Sequence, residues 1–309
     1  MSEKILVTGG AGFIGSHIVD IYVENGYKVF VADNLSSGKK ENINKKADFV
    51  KIDIRDKKLK DLINDEKINY INHHAAQISV SKSVKDPYYD ADVNILGTVN
   101  ILESCIKSKV EKIVFASSGG TVYGEISKFP ATERLPLEPV TPYGISKATI
   151  EHYLKFYYRE YKLKYVSLRY SNVYGPRQDP HGEAGVVAIF CNLMIKGDVP
   201  TINGDGKYIR DYVFCTDVAR ANLLALKKHI TGSFNVGTNS GTDVNELFQY
   251  IAKLFNFKGK PEYGPARPGD IRKSILSYES IKNKLNWKPE VKLKEGLEKT
   301  LDFFKSLKK

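Results

Sequence analysis

Short apolar segments alternate with segments of helical periodicity through the first half of the chain. Residues 4–8 are apolar and β-branched and end at glycines, so we predict a buried strand there. A predicted helix follows from about residue 12 to residue 25, and Gly26 is placed to end it. Further strands are predicted at 28–33, 48–53, 70–75, 112–117 and 166–170. Apolar strands separated by helices predict a parallel sheet that is covered on both faces.

The composition of the chain changes at about Gly175. Proline, glycine and aspartate cluster in the later stretches 175–180, 203–206 and 264–270. We therefore expect an α/β fold with a Rossmann-like, doubly wound parallel sheet in residues 1–175 and a smaller C-terminal α/β substrate lobe in residues 176–309. Segments around 212–237 are expected to return to the first domain. The lobe would then cover the carboxyl edge of the sheet, where such sheets bind ligands.

Composition narrows the class of protein. Of the 309 residues, 42% are hydrophobic and 27% are charged, which is typical of a folded globular protein rather than a disordered one. No apolar run approaches the roughly 20 residues needed to span a bilayer, and the N-terminus lacks a signal-peptide pattern. Cys105, Cys191 and Cys215 are far apart and form neither a disulfide framework nor a metal motif. We expect a cytoplasmic protein with reduced thiols and no membrane partner.

The net charge of +11 arises from lysines that are scattered along the chain. We therefore expect no nucleic-acid partner, because a binding surface for nucleic acid needs clustered basic residues. Solvated lysine faces and a general attraction for anionic small molecules such as diphosphates both remain open as explanations. His73 and His74 lie in a predicted strand with no third ligand near them in the sequence, so we expect no metal site.

A glycine-rich turn joins the first predicted strand to the first predicted helix. Gly9, Gly12 and Gly15 are spaced GxxGxxG, which differs from the GxGxxG fingerprint, and no P-loop lysine follows. Glycines let the backbone approach a phosphate, to which a helix N-terminus offers free N–H groups. Asp33, 18 residues after Gly15, either accepts hydrogen bonds from an adenosine ribose or merely caps a turn. No arginine adjoins Asp33, which favours NAD over NADP.

A tyrosine and a lysine at the start of a long predicted helix are the chief catalytic candidates. Thr141 suits the N-cap and Pro142 the first helical position. Tyr143 and Lys147 are at i and i+4, so they share one face of the helix. The ammonium group should favour the phenolate and lower the pKa of Tyr143 from about 10 toward neutrality. We expect Tyr143 to take a proton from an alcohol while a hydride leaves carbon.

Spacing alone does not identify this pair, because YxxxK also occurs at Tyr158/Lys162 and Tyr278/Lys282. Tyr143 differs in its position at a helix start and in the segment 115–124 that precedes it. There a predicted strand opens into a Ser/Gly loop, and in a parallel sheet this strand end faces the ligand cleft. A hydroxyl in that loop can hydrogen-bond the reacting oxygen beside the tyrosine.

Several motifs occur together and in a consistent order: TGGAGFIG (8–15), Asp33, HAA (74–76), SSGGTVYG (117–124) and YGISK (143–147). Together they resemble the extended short-chain dehydrogenase/reductase family. The later segments 168–177, 210–213, 234–237 and 267–270 look like its nucleotide-sugar epimerase and dehydratase branch. Within that branch the chain is most similar to UDP-glucose 4-epimerases, and the resemblance covers nearly the whole sequence.

The resemblance implies an NAD site at the carboxyl edge of the sheet. The residues it implies for the cofactor are Gly9, Gly12, Phe13, Ile14 and Gly15 at the pyrophosphate, Asp33 with Asn34 beside it at the adenosine ribose, Asp53 and Ile54 beside the adenine, and Ala75, Ala76 and Gln77 in the cleft. It implies Tyr143 as the base and Lys147 as its electrostatic partner, which also binds the nicotinamide ribose. Ser118 would be the hydroxyl partner, although Ser117 or Thr121 could fill that role instead.

A UDP-sugar is the substrate that the resemblance implies. Asn172 would contact its diphosphate, Arg210 and Arg267 would bind phosphate, and Asp270 would bind ribose hydroxyls. Arginine suits phosphate because its planar guanidinium forms paired hydrogen bonds. Ser274 stands at a position where a small residue in relatives admits N-acetylated sugars.

The implied activity is interconversion of UDP-glucose and UDP-galactose through a 4-keto sugar, with a role in galactose metabolism. A UDP-glucuronate 4-epimerase or decarboxylase, a 4,6-dehydratase and a non-catalytic NAD-sensing protein are the alternatives. Related dehydratases carry an Asp-Glu pair where this chain has Gly119 and Gly120, which disfavours elimination of water. The helix predicted over about 87–107 and the helix that starts at Pro142 resemble the pair that forms a homodimer interface in the family.

Overall fold

The computed structural model describes residues 2–181, 185–266 and 270–307. The strands are β1 (Lys4–Thr8), β2 (Lys28–Asp33), β3 (Asp48–Lys51), β4 (Tyr70–His73), β5 (Lys112–Ser118), β6 (Lys164–Tyr170), β7 (Asn172–Tyr174), β8 (Thr201–Asn203), β9 (Ile209–Arg210), β10 (Tyr212–Phe214), β11 (Gly232–Val236), β12 (Thr242–Asp243), β13 (Glu262–Gly264) and β14 (Lys273–Ser274). The helices are α1 (Phe13–Glu24), α2 (Lys58–Asp65), α3 (Val80–Lys85), α4 (Pro87–Ala91), α5 (Gly97–Lys107), α6 (Pro142–Tyr161), α7 (Val186–Lys196), α8 (Cys215–Lys227), α9 (Val244–Phe255), α10 (Glu279–Leu285) and α11 (Leu293–Ser306). A 3₁₀ turn (Lys40–Asn42) and a π-helical turn (Asp92–Leu96) complete the regular structure of these residues.

The central sheet has seven strands in the described part of the chain, in the order β11-β6-β5-β4-β1-β2-β3. All neighbouring strands are parallel. The chain builds β1, β2 and β3 outward, and then returns to place β4 on the other side of β1. A reversal of this kind leaves a crevice at the carboxyl ends of β1 and β4, where open α/β sheets bind ligands. The predicted doubly wound parallel sheet is therefore confirmed.

Both faces of the sheet are buried, which explains the nearly continuous apolar strands. Successive side chains point to opposite faces, so Ile5 and Val7 belong to one core and Leu6 to the other. The first core is closed by α1 and α8, and the second by α2, α5 and α6.

Two predicted strands are shorter than expected, and one strand of the central sheet, β11, is missing from the predicted set. β3 ends at Lys51 and β4 at His73, because the residues that follow leave the sheet at its carboxyl edge. β11 pairs along its length with β6. Its sequence, GSFNV, lacks the apolar run that identified the other strands, and its Asn235 is fully buried.

A third core lies in the C-terminal part of the chain. Aromatic rings dominate it, with Phe190 of α7 and Phe248 of α9 packed edge to face at 6.0 Å between ring centres. The small sheets β10-β7, β12-β9-β14 and β13-β8 flank this core. Among the described residues, no helix is both long enough and apolar enough to cross a membrane.

Candidate active site

The glycine-rich turn lies at the crevice between β1 and β4. Gly9 has φ +70°, and a Cβ on it would stand 2.6 Å from the backbone nitrogen of Ala75. A Cβ on Gly15 would stand 2.2 Å from the carbonyl oxygen of Gly9. Side chains at these positions would therefore collide with backbone, and only glycine lets the turn pack this closely.

The start of α1 suits a diphosphate. Its N-cap, Gly12, offers no side chain to the first turn, and no acidic residue lies in that turn. The N–H groups of a first turn have no partners inside the helix, so those that follow Gly12, including Phe13, Ile14 and Gly15, are available to an anion. A Cβ on Gly12 would meet only the Gly9 carbonyl oxygen, at 3.2 Å, so the outer side of the turn is open. The turn therefore fits the dinucleotide phosphates predicted for it.

Asp33 ends β2 beside this turn. Its carboxylate accepts hydrogen bonds from the backbone N–H of Ala11 at 3.0 Å and of Leu35 at 2.8 Å. The side chain is nearly buried, so these bonds fix it at the edge of the crevice. A carboxylate keeps further lone pairs after two such bonds, which is what a ribose diol requires.

The residues predicted near the adenine form a second charged group. Asp53 accepts hydrogen bonds from Asn34 at 2.9 Å and from the Arg55 guanidinium at 2.8 Å. Arg55 holds the pKa of the Asp53 carboxyl well below its usual range and also pairs with Asp92 at 2.6 Å. Ile54 is buried beneath this cluster. The sequence predicted Asp53, Ile54 and Asn34 but not the arginine that joins them.

The segment after β4 meets the glycine-rich turn. The backbone N–H of Ala75 donates to the Thr8 hydroxyl at 3.3 Å, and the Gln77 side chain is buried while Ala75 and Ala76 are partly exposed. His73 is held between the hydroxyls of Thr8 at 2.7 Å and Thr98 at 2.9 Å. Burial lowers the pKa of His73 well below its usual value, so the imidazole is neutral. Among the described residues, no cluster of His, Cys, Asp and Glu could hold a metal ion.

The tyrosine and lysine lie in the first turns of α6, as their sequence spacing requires. Thr141 caps the helix by accepting a hydrogen bond from the Gly144 N–H at 3.3 Å, and Pro142 is the first helical residue. The Lys147 ammonium group lies 5.7 Å from the centre of the Tyr143 ring. It donates a hydrogen bond to the carbonyl oxygen of Ala116, in β5, at 2.9 Å. Lys147 thereby fixes α6 to the strand that ends in the Ser/Gly loop.

The three candidate hydroxyls at the end of β5 have different partners. The Ser118 hydroxyl lies beside the Tyr143 phenol and lowers its pKa. Ser117 donates to the buried Glu151 carboxylate, farther along α6, at 2.7 Å, and Thr121 donates to the Ser118 carbonyl oxygen at 3.4 Å. Of these hydroxyls, Ser118 is the one that meets the phenol.

The prediction that the pKa of Tyr143 is lowered toward neutrality is wrong for the polypeptide by itself. Burial, and then the charge of the Asp90 carboxylate, raise the pKa of Tyr143 above its ordinary value, while the neighbouring Ser118 hydroxyl lowers it. Burial also lowers the pKa of Lys147 to about 8, although Asp90 opposes that change. The sequence pattern showed the lysine but not the low polarity around both groups or the nearby carboxylate.

Of the residues predicted for the nucleotide half of a substrate, Arg210 and Asp270 meet in the C-terminal part. Arg210, in β9, forms an ion pair with Asp270 and donates to the carbonyl oxygen of Ile209 at 2.9 Å. Asn172 begins β7 and its N–H donates to the carbonyl oxygen of Asp211 at 2.9 Å. Arg267, predicted to bind phosphate, lies outside the described residues.

The Ser/Gly loop borders a small cavity that reaches the C-terminal part of the chain. Gly119 and Gly120 line it together with Ser274 and Leu276. A Cβ on Gly119 would stand 2.4 Å from Leu276 Cδ1. The loop that carries Ser118 is thus packed against the segment that carries Ser274, which had been predicted to limit the size of the substrate pocket.

Sequence reasoning missed the buried charges behind the site. Glu151 and Arg169 form an ion pair at 2.6 Å, and both side chains are almost fully covered. Asp90 is completely buried and touches α6. Charged residues are usually solvent-exposed, whether they lie in helices, as Asp90 and Glu151 do, or in a strand, as Arg169 does, so the sequence offered no signal for any of the three.

Comparisons with known proteins agree with this geometry. The family model of the NAD-dependent epimerase/dehydratase family matches residues 5–237. The chain is 45% identical over 309 residues to the UDP-glucose 4-epimerase of Mycolicibacterium smegmatis, covering 98% of this chain and 99% of that protein. It is similar to the crystal structure of the Thermotoga maritima UDP-glucose 4-epimerase with UDP-glucose, with a TM-score of 0.97, 51% identity and coverage of 99% of this chain and 100% of that one. It is also similar to the Thermus thermophilus UDP-glucose 4-epimerase in complex with NAD, with a TM-score of 0.93, 46% identity and coverage of 98% and 99%.

Proposed function

The chain belongs to the NAD-dependent epimerase/dehydratase family, and we propose that it is an epimerase that interconverts UDP-glucose and UDP-galactose at C4 of the sugar. The observation that carries this proposal is the proximity of the Ser118 hydroxyl to the Tyr143 phenol. It supports a base and a hydroxyl acting on one reacting oxygen, together with a turn that fits a dinucleotide. The resemblance of the whole chain to UDP-glucose 4-epimerases supports the choice of substrate.

We assign the NAD site to the crevice. The turn of Gly9, Gly12 and Gly15 would hold the diphosphate, with backbone N–H groups of Phe13 and Ile14. Asp33 would hold the adenosine ribose, with Asn34, Asp53 and Ile54 on the adenine side and Ala75, Ala76 and Gln77 along the cleft. When bound, NAD supplies the acceptor for the hydride from C4 and returns it, and its positively charged ring favours the Tyr143 phenolate.

Tyr143 moves the proton. Its phenolate oxygen takes the proton of the C4 hydroxyl as the C4–H bond breaks, which leaves a 4-keto sugar. Ser118 donates a hydrogen bond to the same oxygen, and Lys147 holds the helix and supplies positive charge. After the keto sugar has turned over, Tyr143 returns the proton to the oxygen as the new C4–H bond forms. Over the whole reaction, therefore, no proton and no electron is gained or lost.

The nucleotide half of the substrate would be held in the C-terminal lobe, which we assign to residues 176–309 apart from the segments around 212–237. Arg210 and Arg267 would contact phosphate oxygens, Asn172 the diphosphate and Asp270 the ribose. The ion pair between Arg210 and Asp270 supports this assignment because it holds both side chains at one place. Ser274 is small, so we also propose turnover of UDP-GlcNAc and UDP-GalNAc.

Packing disfavours the dehydratase alternative. Elimination of water needs an acid and a base in the Ser/Gly loop, where this chain has Gly119 and Gly120. A side chain on Gly119 would collide with Leu276, since a Cβ there would stand 2.4 Å from Cδ1. An acidic residue could enter that position only if the Leu276 side chain moved away.

We propose a homodimer formed through α5 and α6. Ile145, Tyr153 and Phe156 of α6 are exposed, and their spacing places them on one face of the helix. Leu96, at the start of α5, is 60% exposed. Phe156→Glu should give a monomer by analytical ultracentrifugation, whereas Val199→Glu, at an exposed apolar residue outside both helices, should leave a dimer. A monomeric wild-type protein would contradict this proposal.

We further propose that the protein acts in the cytoplasm, in galactose metabolism. Cys105, Cys191 and Cys215 are all buried and unpaired, which is consistent with a reducing compartment.

The decisive experiment is incubation of the purified protein with UDP-glucose, followed by ¹H NMR of the anomeric protons. UDP-galactose should accumulate to equilibrium without added NAD if the cofactor copurifies, and otherwise after NAD is supplied. A 4-keto-6-deoxy sugar would support the dehydratase alternative. Absence of any product, with NAD and UDP-glucose both bound, would overturn the assignment of activity.

A further inference from the structure

A buried carboxylate behind the tyrosine and lysine carries a further inference. We propose that Asp90 is a positioning residue of the active site, which ties α6 to the segment after β4 and whose negative charge governs the pH at which the Tyr143/Lys147 pair loses its first proton. The effect of Asp90 on catalysis rests on the proposed function. Its effect on the pH of proton loss does not, because that effect involves only groups of the chain itself.

The carboxylate of Asp90 joins two parts of the site. The side chain lies in α4 and has no solvent-accessible surface. One oxygen accepts hydrogen bonds from the side-chain amides of Gln77 at 2.8 Å and Asn94 at 3.0 Å. The other oxygen accepts from the hydroxyl of Ser146 at 2.7 Å. Ser146 lies between Tyr143 and Lys147 in α6, so the carboxylate bridges this helix and the predicted cofactor segment.

The π-helical turn that follows α4 completes the bridge. Asn94 lies in this turn, and its amide oxygen accepts a hydrogen bond from the Gln77 N–H at 2.9 Å. Its amide nitrogen donates to the Gln77 carbonyl oxygen at 3.0 Å. π-turns inside helices are often found at functional sites. In the π-helical turn after α4, Asn94 binds both the backbone after β4 and the Asp90 carboxylate.

No cation neutralises Asp90 at contact distance. Its hydrogen-bond donors are two amides and a hydroxyl, and no Lys or Arg of residues 2–181, 185–266 and 270–307 forms an ion pair with it. A buried carboxylate with neutral partners acts on charges farther away, because the protein around it screens weakly. Tyr143 and Lys147 are the groups on which its charge acts.

Asp90 shifts both members of the pair in the same direction. Its charge raises the pKa of Tyr143, adding to the effect of burial, and raises the pKa of Lys147, against the effect of burial. The two groups are coupled, so the first proton belongs to the pair rather than to either residue. Whichever group releases it, removal of the nearby negative charge makes that release easier. Loss of the Asp90 charge must therefore lower the pH of first proton loss.

Several other titratable groups near the pair are neutral or have partners. Burial lowers the pKa of His73, at the end of β4, and of the next residue, His74, to about 3 for His74, so both are uncharged near neutrality. Charged groups on the elements that pack against α6, or on α6 itself, include these pairs: Asp92 with Arg55, Glu151 with Arg169, Glu103 with the Tyr157 hydroxyl, and Lys82 with the Tyr89 ring. Substitution of Asp90 therefore removes one charge next to the Tyr143/Lys147 pair, and the experiment can measure the effect of that charge.

The test compares Asp90→Asn with Ser146→Ala in the full-length protein. The asparagine keeps the shape, and its amide can still accept from Gln77 and Asn94 and donate to Ser146, so only the charge is lost. Ser146→Ala keeps the charge and loses one hydrogen bond. Lysine labelled with ¹³C at Cε is titrated by NMR, and Lys147→Met identifies the signal of Lys147. This measurement needs no epimerase activity.

In the wild type we expect the Lys147 signal to titrate near pH 8, in line with its lowered pKa. In Asp90→Asn the midpoint should fall by roughly one unit, the size of shift that one nearby charge produces. In Ser146→Ala it should stay at the wild-type value. If Asp90→Asn does not fold, Asp90→Ser removes the charge with a smaller side chain and is measured in its place. An unchanged midpoint in the charge-free variant would overturn the proposal.

The pH dependence of kcat/KM tests whether the charge of Asp90 affects catalysis. Its acidic limb should move to lower pH in Asp90→Asn and should not move in Ser146→Ala. If the NMR midpoint shifts but no variant epimerises a UDP-sugar, the proposed function fails while the electrostatic role of Asp90 stands. If epimerisation proceeds and neither midpoint nor limb moves, the proposed function stands and the role of Asp90 is refuted.

Discussion

The hydroxyl of Ser118, the last residue of β5, lies beside the phenol of Tyr143, in the first turn of α6, and lowers the pKa of that phenol. A strand end and a helix start thus contribute neighbouring hydroxyl groups. A substrate oxygen that approaches Tyr143 therefore meets two hydroxyl groups. Lys147 stabilises this arrangement from the other side, through its hydrogen bond to the Ala116 carbonyl oxygen.

We expect Ser118→Ala to lower kcat roughly a hundredfold, because the lost donor stabilises developing charge on the reacting oxygen. KM for UDP-glucose should change little, since the nucleotide half is held elsewhere. Initial rates measured with UDP-glucose test this. Thr121→Ala is the matched control and should stay close to wild type, because its hydroxyl bonds a carbonyl group at 3.4 Å and not the phenol. A larger loss in Thr121→Ala than in Ser118→Ala would contradict the assignment.

Tyr143→Phe removes the proposed base, and we expect kcat to fall roughly a thousandfold. The variant should melt at a temperature close to that of wild type, because the ring that packs against its neighbours is kept. Tyr158→Phe is the control, since Tyr158 and Lys162 have the same YxxxK spacing but lie at the exposed end of α6. Near-wild-type turnover by Tyr143→Phe would exclude this tyrosine as the base.

The ion pair of Glu151 and Arg169 should contribute strongly to stability. Glu151→Gln leaves the Arg169 guanidinium buried without its carboxylate, and we expect a loss of about 3 kcal/mol in the free energy of unfolding. Urea denaturation measures this loss. The exposed pair of Lys299 and Glu295 is the control, and Glu295→Gln should cost less than about 1 kcal/mol. Equal losses in the two variants would show that burial of the first pair has no energetic consequence.

Much of this arrangement was readable from local sequence. The glycine-rich turn and the cap at Thr141 are built from adjacent residues, and Tyr143 and Lys147 are one helical turn apart. Each depends on short-range geometry that a residue pattern encodes. The apolar strands were readable for a similar reason, because burial on both faces demands an unbroken apolar run.

The choice between Ser117 and Ser118 depended on tertiary structure. The two are adjacent in one strand, so their side chains point to opposite faces. Ser117 stands opposite Arg169 in β6, whose guanidinium binds the same Glu151 carboxylate, whereas Ser118 stands opposite Tyr170. Which serine lies beside the phenol depends on how α6 packs against the end of β5, and a local pattern does not encode this packing. The raised pKa of Tyr143 escaped prediction for the same reason, because it depends on burial and on Asp90 in another helix.

Lys147 should leave a signature in the pH dependence of stability. Its pKa is lowered by burial from 10.5 to about 8, so between these values the unfolded chain binds more protons than the folded chain. Folding stability from this group therefore rises with pH across that window, by at most roughly 1.4 kcal/mol per unit. Lys147→Met should lose this rise, whereas Lys162→Met, at an exposed lysine, should keep it. Denaturation curves at several pH values give the slopes, and equal slopes in wild type and Lys147→Met would refute the burial of a charged ammonium group.

Pocket size at Ser274 should decide whether N-acetylated sugars are accepted. Ser274 is buried and shares its cavity with Gly119 and Gly120 of the Ser/Gly loop, so a tyrosine there would fill the space beside the sugar. We expect wild type to epimerise UDP-GlcNAc, and Ser274→Tyr to lower kcat/KM for UDP-GlcNAc roughly a hundredfold while changing that for UDP-glucose far less. Ser240→Tyr, at an exposed serine, should leave the ratio of the two values unchanged. Equal losses for both substrates in Ser274→Tyr would indicate general damage to the site, and wild-type protein without turnover of UDP-GlcNAc would show that another residue closes the pocket.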